Sequence, residues 1–137
     1  MYRQSQPISP YVIVTLGSVV VAMDRHTGRR VWEWRLLSDG ALTRAHVTDQ
    51  RVIVGGMKHL ACLAYATGLQ LWSVDSPVYV STWLFDEGQL FVSGSGEVAC
   101  FDAESGRLLW HDGFGGYGHW GSVLGVPGNV CQVDHNS

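Results

Sequence analysis

At 137 residues the chain has the length of one ordinary domain, and 17 glycines and 6 tryptophans beside only 15% charged residues give it a turn-rich, aromatic-rich composition that favours β structure. A formal net charge of −3, with no Lys/Arg run longer than Arg29-Arg30, argues against a nucleic-acid or anionic-membrane surface. The polar stretch Met1 to Pro10 and the interrupted apolar run after it do not read as a signal peptide or a membrane span, so a cytoplasmic location is expected slightly ahead of a secreted one whose leader has been removed.

In chain order, alternation of apolar and polar residues between turn signals predicts strands at about 3–8, Tyr11 to Thr15, Val19 to Met23 and Arg30 to Leu36, after which Ser38-Asp39-Gly40 breaks the pattern. A second set follows at Thr43 to Val47, Arg51 to Val54, Leu60 to Leu63 and Leu69 to Val74. The third set is Tyr79 to Phe85, Leu90 to Val92, Glu97 to Phe101 and Arg107 to His111. Beyond the glycine-rich return Gly113 to Gly118, setting Gly128 on Gly88 predicts two more strands, Trp120 to Leu124 and Asn129 to Val133.

These sets are copies of one unit. Val19 to Trp32, Leu60 to Trp72 and Val98 to Trp110 each run from an apolar strand through a turn to a tryptophan; Gly28, Gly68 and Gly106 are 40 and 38 residues apart, as are Trp32, Trp72 and Trp110. In the turn an Asp carboxylate can accept backbone N–H bonds, and Gly can take a positive φ without a Cβ clash. Asp24 and Asp102 fill the Asp position, whereas Ala64 leaves the middle turn without that cap. The tryptophan, large, flat and carrying one donor, suits a seam between sheets. A period near 40 with four strands per unit predicts an all-β fold, a β-propeller of four-stranded antiparallel blades with about 3.5 blades in a single segment 1–137: blades at 3–36, 43–75 and 79–112 and a half-blade at 119–134.

The pattern Ala-x-Asp-x-x-Thr-Gly-x-x-x-Trp, carried by Ala22, Asp24, Thr27, Gly28 and Trp32 and repeated with Ser105 in place of Thr, resembles the tryptophan-docking repeat of the pyrroloquinoline-quinone-like (quinoprotein alcohol dehydrogenase-like, BamB-like) β-propellers. The resemblance implies a propeller whose function is set by its surface, because the same repeat builds quinone-dependent dehydrogenases, an outer-membrane assembly propeller and sensor domains of signalling proteins. Quinone enzymes of this fold hold the cofactor with calcium, and many stack an adjacent Cys-Cys pair on it. Cys62, Cys100 and Cys131 are far apart, and Asp24 and Asp102 are spoken for by their turns, so no catalytic, cofactor or metal residue is assigned and an enzyme is not the favoured reading. The cysteines read as buried structural thiols. No stretch resembles a Ser-His-Asp, P-loop or dinucleotide motif.

Loops on one rim and the inner strands are the places to look for contacts. Arg44 for an anion, His46 or His59 as polar contacts, and Trp83 or Trp120 as stacking platforms are the candidate ligand or partner residues. The expected function is a non-catalytic protein-binding or scaffolding module; the alternatives are a piece of a quinone-dependent dehydrogenase and a sensor domain of a larger signalling protein. An open arc of blades exposes strand edges and sheet faces, so a protein partner or self-association is expected, a dimer ahead of other states, with Val12, Val14 and Val130 near the junction.

Overall fold

The computed structural model describes residues 10–38, 40–118 and 120–132. The expected strand at 3–8 and the positions from Val133 onward lie outside the described residues. The described chain is all β: Tyr11–Leu16 (β1), Val19–Asp24 (β2), Arg30–Arg35 (β3), Arg44–Val47 (β4), Arg51–Gly56 (β5), His59–Ala64 (β6), Gln70–Asp75 (β7), Thr82–Asp86 (β8), Gln89–Gly94 (β9), Glu97–Asp102 (β10), Leu108–Asp112 (β11), Val123–Val126 (β12) and Asn129–Gln132 (β13). They form antiparallel sheets in the orders β1-β2-β3, β4-β5-β6-β7, β8-β9-β10-β11 and β12-β13, each a meander that moves on to the next. This is a propeller arc of about three blades and a further hairpin. No helix among the described residues is long and apolar enough to cross a membrane.

Cores form between blades, and this explains the apolar runs of the middle strands. On β5, Val52 and Val54 pack towards the first blade with Val20, Leu36, Leu42 and Leu63, whereas Ile53 packs towards the third with Leu60, Leu90, Val92 and Phe101. A strand buried on both faces has no polar face to show. Each fully buried Leu, Val or Phe contributes about 1.5–3 kcal/mol of transfer free energy, so the blades are held by stacking as well as by their ladders.

The repeated turn supplies the seam. Gly68 and Gly106 have φ of 76° and 77°, and a Cβ on either would lie 2.5 Å from the indole of Trp32 or Trp72 respectively. Each indole therefore lies flat on the glycine turn of the following blade. Trp32 Nε1 donates to Tyr65 O at 2.8 Å and Trp72 Nε1 to Ala103 O at 3.2 Å. A β-bulge recurs where the third strand of each blade meets the fourth, at Ala22/Met23, Cys62/Leu63 and Cys100/Phe101. Asp24 Oδ1 accepts the His26 and Thr27 N–H groups at 2.8 and 2.9 Å, and Asp102 Oδ2 accepts from the Ser105 N–H and hydroxyl at 3.1 and 2.6 Å. The Ala64 turn closes by backbone alone, with Gly68 N–H donating to Ala64 O at 2.8 Å.

Two strands begin three residues later than expected. The third blade's inner strand starts at Thr82 rather than Tyr79, because Val80 N–H donates across the seam to Met57 O at 2.7 Å and Tyr79 crosses the end of β9. Only glycine allows that crossing: a Cβ on Gly94 would sit 2.1 Å from Tyr79 O. β12 likewise starts at Val123 rather than Trp120.

Trp72 is buried and Trp110 is 46% exposed, and among the described residues no glycine turn lies on the Trp110 indole. Trp72→Ala is therefore expected to cost about 3–5 kcal/mol, the range for a buried aromatic, and Trp110→Ala well under half of that. Urea denaturation of both variants checks the order, and equal losses would show that the glycine turn is not what makes the tryptophan stabilising.

Candidate functional site

The five candidate residues fall into three separate places. Arg44 and His46 lie on the face of β4 turned towards the third blade, while Ala45 and Val47, on the other face, are exposed. Arg44 Nε donates to Ser81 O at 3.0 Å and Nη2 donates to the same oxygen, so its guanidinium ties two blades together. His46 stacks on Phe85 with ring centroids 4.0 Å apart and planes 15° apart, and the Trp83 edge meets Phe85 at 5.2 Å. Trp83 also packs against the core between the second and third blades.

Below His46 a 260 Å³ cleft opens, lined by Thr48, Arg51, Phe85, Ala103 and Glu104 among others. Arg51 closes one side by donating from Nη1 to Glu104 O at 3.1 Å and pairing with its carboxylate at 3.7 Å. Burial pushes the His46 imidazole below its ordinary value, since the charged form loses water and gains no carboxylate in compensation.

Trp120 is 78% exposed and belongs to a different opening, 440 Å³ in volume, between the third blade and the last hairpin. Phe114, Tyr117, Val98 and Leu124 share its walls, and the Ser93 and Ser122 hydroxyls are hydrogen-bonded to each other at its floor. Phe114 holds a φ of 46°, an uncommon conformation for a non-glycine residue, and its N–H is caught by Asp112 Oδ1 at 2.8 Å.

His59 stands at the opposite end of the strands from His46, at the head of β6. Its Nδ1 lies 2.9 Å from Asp75 Oδ1, and its Nε2 lies 3.1 Å from Ser38 Oγ. The ladder accounts for the first contact, because His59 and Asp75 are directly opposite each other on β6 and β7. The second crosses a blade seam: Ser38 follows β3 on a return anchored by Leu36 N–H to Ser18 O and Leu42 N–H to Gly17 O. A 390 Å³ cleft containing all three is walled by Trp34, Leu37, Arg35 and Gln70. The sequence showed no Ser-His-Asp arrangement because these residues are 21 and 16 positions apart and meet only in three dimensions.

Phe85, Ser38, Asp75 and Tyr65 are site or seam residues that the sequence reading passed over. Tyr65 Oη takes the Tyr11 N–H and donates to Tyr11 O, both at 2.8 Å, so one hydroxyl satisfies both backbone groups of a β1 residue. The His59–Asp75 pair was in principle legible from hairpin register; the others depend on how blades stack.

Cys62 and Cys100 are free and buried in different sheets, their thiols pushed up first of all by burial. Asp24 is held below the ordinary carboxylate range by the His26 and Thr27 N–H groups, and Asp102 by the Ser105 hydroxyl. The two thiols lie in different sheets and do not form an adjacent pair, and the Asp24 and Asp102 carboxylates are engaged by their own turns. Among the described residues no three of His, Cys, Asp and Glu converge on a metal position.

The His46 environment has a pH consequence. Its lowered folded-state value means that the unfolded chain binds the proton more readily, so stability rises with pH and falls away as pH drops below about 6.5. His46→Phe, which keeps the stack on Phe85, should flatten the fall in thermal midpoint between about pH 7 and 5. Melting curves across that range check it, and an unchanged slope would remove His46 as a source.

Comparison with known proteins supplies a family. A family model described as outer membrane protein assembly factor BamB matches residues 16–114. Among solved structures, BamB from Moraxella catarrhalis superposes with a TM-score of 0.59 at 19% identity, over 75% of this chain and 33% of that one. The quinohemoprotein alcohol dehydrogenase from Comamonas testosteroni gives a TM-score of 0.60 at 22% identity, over 75% and 19%. The computationally designed Ika8 protein gives 0.71 at 16%, over 92% and 41%. At these identities the structures share the fold, and the chain spans less than half the length of each. No curated protein matches the sequence. With three copies of the Gly/Trp unit, two of whose tryptophans are seated at blade seams, and the family match covering residues 16–114, this chain belongs to the BamB-like family of pyrroloquinoline-quinone-type propeller repeats.

Proposed function

We propose that the chain is a protein-binding propeller module that works by blade-to-blade docking, and that its first partner is a second copy of itself. One observation carries the reading. Trp32 and Trp72 are seated on the Gly68 and Gly106 turns, whereas Trp110 is half exposed and the Gly28 turn, with a like φ of 75°, has no described residue within 4 Å of its Cβ position. The two halves of one more docking contact are thus present on a single chain and apart from each other.

Joining them places the third blade of one copy beside the first blade of another. Leu108 and Leu109, exposed on β11, add apolar area to the same outer edge. Closing the contact requires the β12–β13 hairpin to swing aside. Among the described residues, Asn129 Nδ2 to Phe85 O at 3.1 Å and, just before β12, the Ser93–Ser122 hydroxyl contact tie this part of the chain to the third blade. Two copies then supply six blades, within the range of about 4–8 in which propellers close, and a head-to-tail contact that closes by rotation gives a cyclic dimer.

Size exclusion with light scattering tests this. A species near twice 15.1 kDa that shifts to monomer in Trp110→Ala, with the variant still folded by circular dichroism, is the expected result; a concentration-independent wild-type monomer overturns it. The reading also has no place for a quinone. Addition of pyrroloquinoline quinone with Ca²⁺ should leave no quinone absorbance on the desalted protein, and absorbance that bleaches with an alcohol would instead support a dehydrogenase.

A further inference from the structure

The geometry points to a nucleophilic hydroxyl at Ser38, activated by His59 and positioned through Asp75, that transfers acyl groups from esters bound in the cleft between the first and second blades. Three observations converge. The contacts run in the order that such chemistry requires, Ser38 Oγ to Nε2 at 3.1 Å and Nδ1 to Asp75 Oδ1 at 2.9 Å. A proton on Nδ1 shared with the carboxylate leaves the Nε2 lone pair to accept from the hydroxyl, the tautomer that a general base needs. The His59 side chain is only 25% exposed, so its ring is held by the cleft, and Trp34 Nε1 donating to Gln70 Oε1 at 3.1 Å fixes the wall beside it.

The fold does not demand these residues. The position of His59 at the head of the third strand is Val19 in the first blade and Glu97 in the third. Both of those blades form without a histidine there, so the arrangement is an addition to the scaffold.

The step balances without any further reactant than water. Ser38 Oγ attacks the ester carbonyl carbon as its proton passes to Nε2; the tetrahedral intermediate collapses and the leaving alcohol takes that proton. Water then attacks the acyl-serine, giving a proton to Nε2 that returns to Ser38 Oγ as the acid departs. Arg35 and Gln70 also line this cleft. The Asp75 side chain is 87% exposed, so water screens its carboxylate and its share of the effect is small.

An alkyl fluorophosphonate probe tests this on the whole protein, since its phosphorus is captured by an activated serine oxygen with loss of fluoride. Mass spectrometry is expected to find the adduct on the peptide between Arg35 and Arg44, at Ser38. Ser38→Ala abolishes it. His59→Ala slows it by about 100-fold or more, the low end for a lost general base, with partial recovery on adding imidazole, and Asp75→Asn slows it several-fold. Circular dichroism confirms that each variant is folded. No adduct at Ser38, or equal rates in wild type and His59→Ala, overturns the assignment.

Discussion

The first and second blades of this protein are each fastened to the next by an indole laid flat on a glycine. The turn must carry a positive φ and leave bare backbone for the ring, and both conditions exclude any side chain at Gly68 and Gly106. The indole N–H then meets a carbonyl of the same turn, so a large apolar surface is removed from water without leaving its one polar atom unpaired. The core between blades, the both-face burial of β5 and β6 and the crossing of the return over the end of β9 are consistent with that spacing.

The seam varies where the sequence does. In the middle turn Ala64 cannot cap, and the following Tyr65 does other work: buried, it reaches back to the first blade and bonds both backbone groups of Tyr11. A lost local contact is thus accompanied by a gained long-range one. Arg44 to Ser81 O and Arg51 to Glu104 add polar ties between the second and third blades, near opposite ends of the inner strands. Charged residues placed at seams in this way tie neighbouring blades while keeping their outer atoms hydrated, which costs less than full burial of an ion pair.

Function on such a scaffold belongs to what is added to the seams. The inner-strand pair Arg44 and His46 turns towards the neighbouring blade, into contacts with Ser81 and Phe85, because alternate residues of a blade strand face the two neighbouring blades. The rim is different. The return holding Ser38 is anchored at Leu36 and Leu42 and carries the Ser38 hydroxyl to His59 of the next blade, which is how residues from two repeats come to share one cleft.

The sequence by itself determined the repeat, the fold class and the residues of the seam, because Gly28, Gly68, Gly106 and their tryptophans are dictated by backbone sterics within a single hairpin and recur at a readable interval. It also located Asp24 and Asp102 as turn caps, a contact spanning only two or three residues. Strand starts at Thr82 and Val123 escaped it, since a return crossing a neighbouring strand leaves the same apolar pattern as a strand. Ser38 beside His59, Phe85 under His46 and Tyr65 on Tyr11 were decided only by the tertiary structure. Each joins two blades, and the angle at which one sheet stacks on the next is set by the summed packing of both cores, which no local pattern records.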